Sequence, residues 1–227
     1  MKAMILAAGR GERLRPLTEK IPKALVEAGG KPLIGWHLER LAASGLREVV
    51  INVSHLAGQI VAALGDGARY GVRIAWSREP EPLETAGGIA RARELLGAEP
   101  FLLVNGDIYC EFDFSSLLKI RLENALAYLV LIPNPPHHPK GDFTLAGGLI
   151  GNEPAPRYTY SGIAVMSPAL VAGVPAGEKA PLAPLLRAAA EQGRITGELY
   201  AGRWQDVGTV ERLAELRAHL ASNYENR

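Results

Sequence analysis

The sequence has a single cysteine and no long apolar run, and both absences exclude whole classes of protein. Cys110 cannot form an internal disulfide, and no cysteine or histidine stands beside it at zinc-site spacing, so we expect a buried, inert thiol. No apolar stretch reaches the roughly 18 residues that a membrane-spanning helix requires. The remaining composition, 48% hydrophobic and 22% charged over 227 residues, is that of an ordinary globular protein.

An excess of charge of one sign is also missing. The formal net charge is +1 and residues of both signs are interspersed, so the sequence predicts neither a nucleic-acid partner nor a membrane partner. Residues 1–9 run directly into a glycine loop, without the long apolar segment and cleavage site of a signal peptide. We therefore expect a cytoplasmic protein.

Short apolar strands alternate with helices in the first half of the chain. Hydrophobic spacing predicts strands at residues 3–8, 49–53, 72–76 and 101–104. It predicts helices at residues 32–44, 57–64 and 86–96, each followed by a glycine. This alternation indicates an α/β fold with a parallel, doubly wound sheet and right-handed crossovers.

The second half has a different texture. Further β segments are predicted at residues 126–132, 143–145 and 158–166, on either side of a rigid proline-rich loop at 133–139, and helices return at 182–191 and 210–220. There is no internal repeat and no linker rich in proline, glycine or serine. The sequence therefore predicts a single domain over residues 1–227.

A glycine loop follows the first predicted strand. Gly9 and Gly11 allow the backbone to approach a phosphate closely, while Arg13 and Arg15 can supply charge-assisted hydrogen bonds. An ordinary strand-to-helix turn with two solvated arginines is the alternative. The loop is not a Walker A motif, because no Gly-Lys-Ser/Thr follows, and it lacks the third glycine of a dinucleotide fingerprint.

Three charged residues elsewhere are candidates for phosphate and metal chemistry. Lys23 follows a proline that fixes its backbone and so allows a directed ammonium, whereas a solvated charge is the usual state of a lone lysine in a loop and is the alternative. Asp107 ends the strand at 101–104, at the carboxyl edge where open α/β sheets bind ligands, and a turn-forming aspartate is the alternative. Asp206 lies just before the last helix, where it is either a metal ligand or a helix cap.

Two glycine segments and a histidine pair are less specific. Backbone amides at residues 84–88 can meet a nucleobase or phosphate, although helix capping by Thr85 explains the segment equally well. Residues 160–162 can lie beneath a sugar or form a β-bulge. His137 and His138 stand in the proline-rich loop, where exposure to solvent is the expected state.

Together these motifs resemble, in their order along nearly the whole chain, the sugar-1-phosphate nucleotidyltransferases. The matching segments are Leu6-Ala7-Ala8-Gly9-Arg10-Gly11-Glu12-Arg13-Leu14-Arg15-Pro16-Leu17-Thr18, Pro22-Lys23, Glu84-Thr85-Ala86-Gly87-Gly88, Asn105-Gly106-Asp107, Tyr160-Ser161-Gly162 and Trp204-Gln205-Asp206-Val207-Gly208-Thr209. The resemblance implies a Rossmann-like fold with a doubly wound, mixed and mostly parallel sheet. It divides the domain into a nucleotide-binding half at 1–110 and a sugar-binding half at 111–227. The left-handed β-helix of acetyltransferase-fused relatives is absent, which makes a monomer the expected state.

The resemblance also implies a reaction and a set of site residues. A sugar 1-phosphate is expected to attack the α-phosphorus of UTP, giving an NDP-sugar and pyrophosphate. Asp107 and Asp206 are expected to hold Mg²⁺, Arg15 to grip the triphosphate, and Lys23 to neutralise the phosphates. The residues implied in nucleotide binding are Leu6, Ala7, Ala8, Gly9, Gly11, Arg15, Pro82, Thr85, Ala86, Gly87, Gly88 and Asn105. Those implied in binding the sugar phosphate are Lys23, Glu84, Gly141, Tyr160, Ser161 and Gly162.

Within the family, three stretches are most similar to members that act on N-acetylmuramic acid α-1-phosphate in peptidoglycan recycling. They are Pro82-Leu83-Glu84-Thr85, His137-His138-Pro139-Lys140-Gly141-Asp142-Phe143 and Leu182-Ala183-Pro184-Leu185-Leu186-Arg187. The Glu-Lys-Pro segment that many relatives carry before the sugar-binding strand is replaced by Gly151-Asn152-Glu153-Pro154-Ala155-Pro156. The usual acidic and lysine contacts to the sugar therefore have no counterpart in this segment.

Three alternatives stay open at the level of sequence. Mannose-1-phosphate guanylyltransferases and other hexose-1-phosphate nucleotidyltransferases share the outer motifs. A nucleotide or sugar sensor on the same fold is disfavoured, because a sensor need not retain both aspartates. A dinucleotide-dependent oxidoreductase is disfavoured by the missing third glycine.

Overall fold

The computed structural model describes residues 1–154 and 156–225, which are arranged around one large β-sheet. The strands, in chain order, are β1 (Ala3–Leu6), β2 (Glu27–Ala28), β3 (Lys31–Pro32), β4 (Glu48–Val53), β5 (Arg73–Arg78), β6 (Phe101–Asn105), β7 (Ile108–Cys110), β8 (Ala127–Ile132), β9 (Thr144–Ala146), β10 (Leu149–Gly151), β11 (Thr159–Met166), β12 (Ile195–Leu199) and β13 (Trp204–Asp206). The α-helices are α1 (Leu17–Lys20), α2 (Leu33–Ala43), α3 (Ala57–Leu64), α4 (Glu84–Arg91), α5 (Arg93–Leu96), α6 (Leu182–Glu191) and α7 (Val210–Glu225).

Within these ranges the large sheet has nine strands, in the order β5-β4-β1-β6-β11-β8-β12-β10-β9. Strands β5, β4, β1 and β6 are parallel neighbours. Strand β11 is antiparallel to both β6 and β8, β12 is parallel to β8, and β10 is antiparallel to both β12 and β9. Only β11 and β10 therefore run against the other strands, which confirms the predicted mixed and mostly parallel sheet.

The central strands bury both of their faces. In β1, Ala3 and Ile5 belong to one hydrophobic cluster, which α2 and α3 cover. Met4, between them, points into a second cluster on the opposite face, to which α4 and α6 contribute. Strands buried on both faces have nearly continuous apolar sequences, which is why their period alone does not distinguish them from buried helices.

A two-stranded sheet lies beside the large one and joins the middle of the chain to a segment near its carboxyl end. Strand β13 pairs antiparallel with β7, which follows β6 closely. Helix α7 packs against this pair through a third cluster in which Leu213 and Leu216 meet Tyr109 and Val207. The residues that precede α7 are thereby held next to the carboxyl end of β6.

Two of the predicted helices have the same bounds in the structure as in the prediction. The helices at 57–64 and 182–191 have the predicted bounds, whereas the single helix predicted at 86–96 is divided at Ala92 into α4 and α5. Cys110 is buried and unpaired, as predicted. Among the described residues, no helix combines the length and apolar character needed to cross a bilayer.

Candidate active site

The carboxyl ends of β1 and β6 form the centre of the candidate site. The two strands are parallel neighbours, and Leu6 at the end of β1 pairs with Asn105 at the end of β6. The amide of Gly106 donates to the carbonyl oxygen of Leu6 at 3.0 Å, so the two following loops begin side by side. Ligands of open α/β sheets bind at this kind of edge.

A cavity of about 570 Å³ opens between these loops. Its lining residues are Leu6, Ala7, Ala8, Gly9, Gly11, Glu12, Arg13, Lys23, Ala24, Asn52, Glu79, Pro82, Glu84, Thr85, Asn105, Gly106, Asp107 and Gly208. The structure therefore brings most of the residues implied in nucleotide binding to one cavity. Its size is in the range of small-molecule sites.

Lys23 and Asp107 form an ion pair in the wall of this cavity. The Nζ atom of Lys23 donates to Oδ2 of Asp107 at 2.6 Å, although the residues are 84 positions apart. The Lys23 side chain is only 12% exposed, so it is not the solvated charge that was the alternative interpretation. Asp107 is 40% exposed and keeps room for a further partner.

Asp206 is brought next to Asp107 by the pairing of β13 with β7. Asp206 pairs with Ile108, the residue after Asp107, and the amide of Val207 donates to the carbonyl oxygen of Asp107 at 2.7 Å. Asp206 lies within a strand and is not the cap of α7, because Thr209 fills that position by accepting from the amide of Arg212 at 3.3 Å. The two predicted metal ligands thus lie on adjacent, paired segments.

The carboxylate of Asp206 has two cationic or titratable neighbours. The Nη1 atom of Arg212 lies 2.6 Å from Oδ1 and 2.5 Å from Oδ2. The Nε2 atom of His137 lies 3.0 Å from Oδ1. His137 belongs to the proline-rich loop, so that loop reaches the site and contacts Asp206, a candidate metal-ligating residue. The sequence alone did not predict this contact.

The donor set fits a metal that is shared between protein and substrate. Among the described residues, no group of three or more histidines, cysteines and acidic residues is placed to hold a metal by itself. Asp107 and Asp206 provide two carboxylates, and Mg²⁺ is commonly held by one or two carboxylates plus substrate phosphate oxygens and water. Asp107 and Asp206 are therefore the residues that would hold the metal. Their ion-pair partners, Lys23 and Arg212, place positive charge beside it.

The two arginines of the glycine loop lie in different places. Arg13 lines the 570 Å³ cavity, and its Nη2 atom lies close to Gly208. Arg15, which the family resemblance implies as the triphosphate clamp, lines a separate cavity of about 280 Å³ together with His55. A role for Arg15 in gripping the triphosphate stays a prediction, while Arg13 is the arginine that the structure brings to the cavity.

Only part of the segment at residues 84–88 faces the cavity. Thr85 lines it, but the amides of Ala86 and Gly87 donate to the carbonyl oxygen of Ala180 at 2.9 and 3.1 Å. Ala86, Gly87 and Gly88 are buried, and α4 has no side-chain cap, so capping by Thr85 is excluded. Direct contact of these three residues with a nucleotide stays a prediction, since the structure shows them in packing contacts.

Asn52 and Glu79 form a buried polar link across the cavity wall. Nδ2 of Asn52 donates to Oε1 of Glu79 at 2.7 Å, and the amide of Ala7 donates to Oδ1 of Asn52 at 2.8 Å. Oε2 of Glu79 accepts from the amide of Leu83 at 3.0 Å. This chain ties the glycine loop to the loop before α4, and both of its side chains were absent from the predicted site.

A second cavity of about 450 Å³ adjoins the first. The two share Glu84, Thr85 and Asn105, and Tyr160 lines the second cavity. The hydroxyl of Tyr160 is buried without a hydrogen-bond partner in the described structure, and burial raises its pKa well above the ordinary value. This cavity contains two of the six residues implied in binding the sugar phosphate, Glu84 and Tyr160.

The segment at residues 160–162 forms the predicted alternative, a β-bulge. The register between β11 and β8 shifts between Tyr160 and Ile163. Gly162 has a φ of 82°, and a Cβ atom at this position would lie 2.6 Å from Nδ2 of Asn105. Ser161 is 1% exposed, and its carbonyl oxygen accepts from Nε1 of Trp204 at 2.9 Å. A sugar contact for Ser161 and Gly162 stays a prediction.

Asp142, three residues after the proline-rich loop, lines the second cavity. Oδ1 of Asp142 lies 3.0 Å from Nε2 of His138, and Oδ2 accepts from the amide of Tyr160 at 2.9 Å. Gly141 precedes it with a φ of 60° and packs against Asn134, without lining either cavity. The structure therefore places Asp142 in the cavity, where the sequence favoured Gly141.

Comparison with protein families identifies the class to which this fold and site belong. Residues 2–146 match the nucleotidyl transferase family, and the chain is a member of that family and an enzyme of that class. Enzymes of this class generally use a divalent metal. The match covers β1 to β9, which include the glycine loop, Lys23 and Asp107.

Two curated relatives narrow the comparison. The chain is 50% identical to the N-acetylmuramate alpha-1-phosphate uridylyltransferase of Neisseria meningitidis, over 96% of this chain and 97% of that protein. It is 32% identical to the mannose-1-phosphate guanylyltransferase catalytic subunit beta of Danio rerio, over 92% of this chain. The chain spans 61% of the length of that second relative.

Solved structures support the fold. A Bacillus anthracis structure, described as a glucose-1-phosphate thymidylyltransferase in complex with a sucrose, superposes with a TM-score of 0.86. The match covers 97% of this chain and 95% of the other, at 21% sequence identity. At this identity the similarity shows the fold alone.

Proposed function

We propose that the chain transfers a uridylyl group from UTP to N-acetylmuramic acid α-1-phosphate, producing UDP-N-acetylmuramic acid and pyrophosphate. The observation that carries the proposal is the 50% identity to the Neisseria uridylyltransferase over nearly the full length of both chains. The proximity of Lys23, Asp107 and Asp206 at the carboxyl edge of the sheet supports it, because the reaction needs positive charge there, which the ammonium and a divalent cation held by the two carboxylates would supply.

The chemistry of the proposed reaction explains why the site is rich in charge and lacks an evident base. A phosphate monoester is already a competent nucleophile near neutral pH, so its attack on the α-phosphorus needs no proton removal. Two polyanions must meet, and negative charge must move onto the departing pyrophosphate. Such reactions are accelerated chiefly by positioning and by electrostatic stabilisation.

The charged side chains in and beside the cavity have proposed parts in this scheme. Asp107 and Asp206 would hold Mg²⁺, which when bound supplies charge compensation for the phosphate oxygens. Lys23 carries an ammonium at the same point, held in place by its 2.6 Å contact with Asp107. Arg13 lines the nucleotide cavity, and Arg15 stays the arginine proposed from sequence, so the triphosphate clamp is assigned to this pair.

The proposal also covers the cellular setting. UTP is an intracellular nucleotide, so the reaction belongs in the cytoplasm, where its product would enter peptidoglycan recycling. A monomer is proposed, because the two adjoining cavities of a single chain offer room for both substrates. The second candidate function is mannose-1-phosphate guanylyltransfer, which the 32% identity to the Danio rerio enzyme favours over unrelated classes.

The test is a pyrophosphate-release screen with the purified protein and Mg²⁺. The four common nucleoside triphosphates are paired with the 1-phosphates of N-acetylmuramic acid, N-acetylglucosamine, mannose and glucose. The proposal predicts the highest kcat/KM for UTP with N-acetylmuramic acid α-1-phosphate. Activity confined to GTP and mannose 1-phosphate would replace it by the second candidate, and binding of substrates without pyrophosphate release would support a sensor.

A further inference from the structure

Helix α6 forms one wall of the second cavity, and the proposed reaction assigns no role to this helix. The segment at residues 182–187 is one of the three stretches that resemble the N-acetylmuramate-specific members of the family. In the structure these residues begin α6, and Leu182, Ala183, Leu186 and Arg187 line the 450 Å³ cavity. The segment that resembles the N-acetylmuramate-specific members therefore lines the cavity in which the sugar would lie.

The two cavities form one path from the nucleotide to α6. They share Glu84, Thr85 and Asn105. Asp107, two residues after Asn105 in the sequence, lines the first cavity. A sugar whose 1-phosphate lies near Asp107 therefore has the second cavity available for its ring and substituents. Helix α6 faces the substituents, because its residues line only the second cavity.

Arg187 is the one cationic side chain among the described residues that line the second cavity. Within the described ranges no carboxylate lies at ion-pair distance from its guanidinium. The cavity's carboxylates are Glu84 and Asp142; neither forms an ion pair with Arg187, and Asp142 contacts His138 and the amide of Tyr160. The guanidinium of Arg187 is therefore available to an anionic ligand.

The backbone of Arg187 is fixed although its side chain is exposed. Nδ2 of Asn152 donates to the carbonyl oxygen of Arg187 at 3.1 Å, which ties α6 to the segment after β10. Leu182 and Leu186 lie beside it with 6% and 2% of their surface exposed, so the surrounding wall is apolar and well packed. A charged group next to an apolar wall suits a substituent that carries both a carboxylate and a methyl group.

The geometry points to Arg187 as the residue that recognises the lactyl carboxylate of the sugar, and this inference rests on the proposed function. N-acetylmuramic acid differs from N-acetylglucosamine by a 3-O-lactyl group, which consists of one carboxylate and one methyl group on an ether carbon. Arginine pairs with carboxylates through two parallel N–H donors. Ala183, which is exposed and lines the cavity, provides a surface for the methyl group, and Arg187 acts as a specificity determinant without taking part in phosphoryl transfer.

The experiment compares two sugar 1-phosphates that differ only in the lactyl charge. Steady-state kinetics are measured with N-acetylmuramic acid α-1-phosphate and with its lactyl amide, each with saturating UTP and Mg²⁺. Arg187→Gln is expected to raise KM for the acid about fivefold, the upper end of what one exposed charge pair contributes, and to change KM for the amide less than twofold. Because the contact is remote from the phosphates, kcat with the acid is expected to stay within about twofold.

Two further variants make the outcome decisive. Arg121→Gln removes the same charge from an exposed position outside both cavities and is expected to leave all constants unchanged. Arg187→Lys keeps the charge without the planar pair of donors and is expected to fall between the wild type and Arg187→Gln. Thermal unfolding of each variant checks that the fold is retained.

The possible failures are distinguishable. If the unaltered protein does not use N-acetylmuramic acid α-1-phosphate with UTP, the proposed function falls and this inference falls with it. If the unaltered protein uses that pair but Arg187→Gln changes KM equally for acid and amide, or for neither, the inference alone is overturned.

Discussion

The two aspartates of the site each contact a positively charged side chain, Asp107 one that is 84 positions away and Asp206 one that is six positions away. Asp107 contacts Lys23, and Asp206 contacts Arg212 in an arrangement that uses both carboxylate oxygens. These partners keep two carboxylates close together without an unbalanced local charge. They also orient the carboxylate oxygens. A substitution that keeps the shape of the aspartate side chain but removes its charge therefore tests the contribution of each aspartate.

Asp107→Asn and Asp206→Asn are each expected to lower kcat by a factor of about 10² or more. The amide retains the size of the side chain but is a poor ligand for a divalent metal, so the loss falls on transition-state stabilisation. Initial rates of pyrophosphate release at saturating Mg²⁺ measure it. Asp66→Asn, in a turn away from both cavities, is the charge-matched control. Turnover near that of the wild type in both site variants would reject the metal assignment.

Arg13→Ala is expected to raise KM for UTP by about tenfold or more, because this side chain lines the nucleotide cavity and can form charge-assisted bonds with phosphates. Arg15→Ala tests the assignment made from sequence, and the location of Arg15 in a separate cavity predicts the smaller effect. The measurement is KM for UTP in both variants side by side. An effect of Arg15→Ala larger than that of Arg13→Ala would restore Arg15 as the principal clamp.

The residues of the site differ in how far sequence could predict them. Lys23 and Asp107 were found because each lies in a short motif at a predicted strand end or after a proline. Asn52 and Glu79 have no such local signal, since their link exists only when β4 and the end of β5 are adjacent in the sheet. Arg212 lies on a predicted helix, but its contact depends on where β13 places Asp206.

At the scale of the elements, packing explains which strands the sequence did not predict. Strands β7 and β13 have three residues each, and each needs the other as its partner, so neither has a long hydrophobic pattern of its own. Strand β12 contains Gly197, where a Cβ atom would lie 2.2 Å from the carbonyl oxygen of Leu129, so a residue unfavourable for strands is required by its neighbour. Tertiary contacts therefore determine these elements.

Gly87→Ala is expected to destabilise the protein by about 1–3 kcal/mol. A Cβ atom at Gly87 would lie 2.3 Å from the carbonyl oxygen of Glu178, and the neighbouring backbone must move to relieve the overlap. Gly58→Ala in α3 is the matched control, because no atom lies within 4 Å of its Cβ position, and there alanine is expected to stabilise the helix by about 0.5–1 kcal/mol. Urea denaturation of both variants measures the two opposite shifts, and shifts of the same sign would contradict the packing role of Gly87.

At the scale of the whole molecule, one continuous sheet joins the two predicted halves. Strand β6 of residues 1–110 pairs with β11 of residues 111–227, and the pairing extends over four residues of each strand. The division into a nucleotide half and a sugar half stays a prediction about binding. The single-domain prediction implies one cooperative unfolding transition, which makes the free energy of unfolding a property of the whole chain.

The free energy of unfolding is expected to fall by about 2 kcal/mol between pH 7 and pH 5, because of His37. Burial lowers the pKa of His37 to about 4, with Arg40 lowering it further and Asp107 and the Ile108 backbone opposing. The unfolded chain binds a proton near pH 6.5 while the folded chain does not, so this contribution is complete above pH 6.5 and is lost as pH falls towards 4. Urea titrations across this range measure it, and His37→Leu is expected to flatten the dependence. A wild-type stability that is constant over the range would exclude it.

The pairing of β13 with β7 has a consequence for how the enzyme becomes active during synthesis. Asp107 and its partner Lys23 are present once about half of the polypeptide has been made, whereas Asp206 lies near the carboxyl terminus and is made late. A nascent chain, or a fragment cut anywhere between the two positions, therefore has only one of the paired acids. Under the proposed metal assignment, activity appears only when translation is almost complete, and partial products cannot consume UTP.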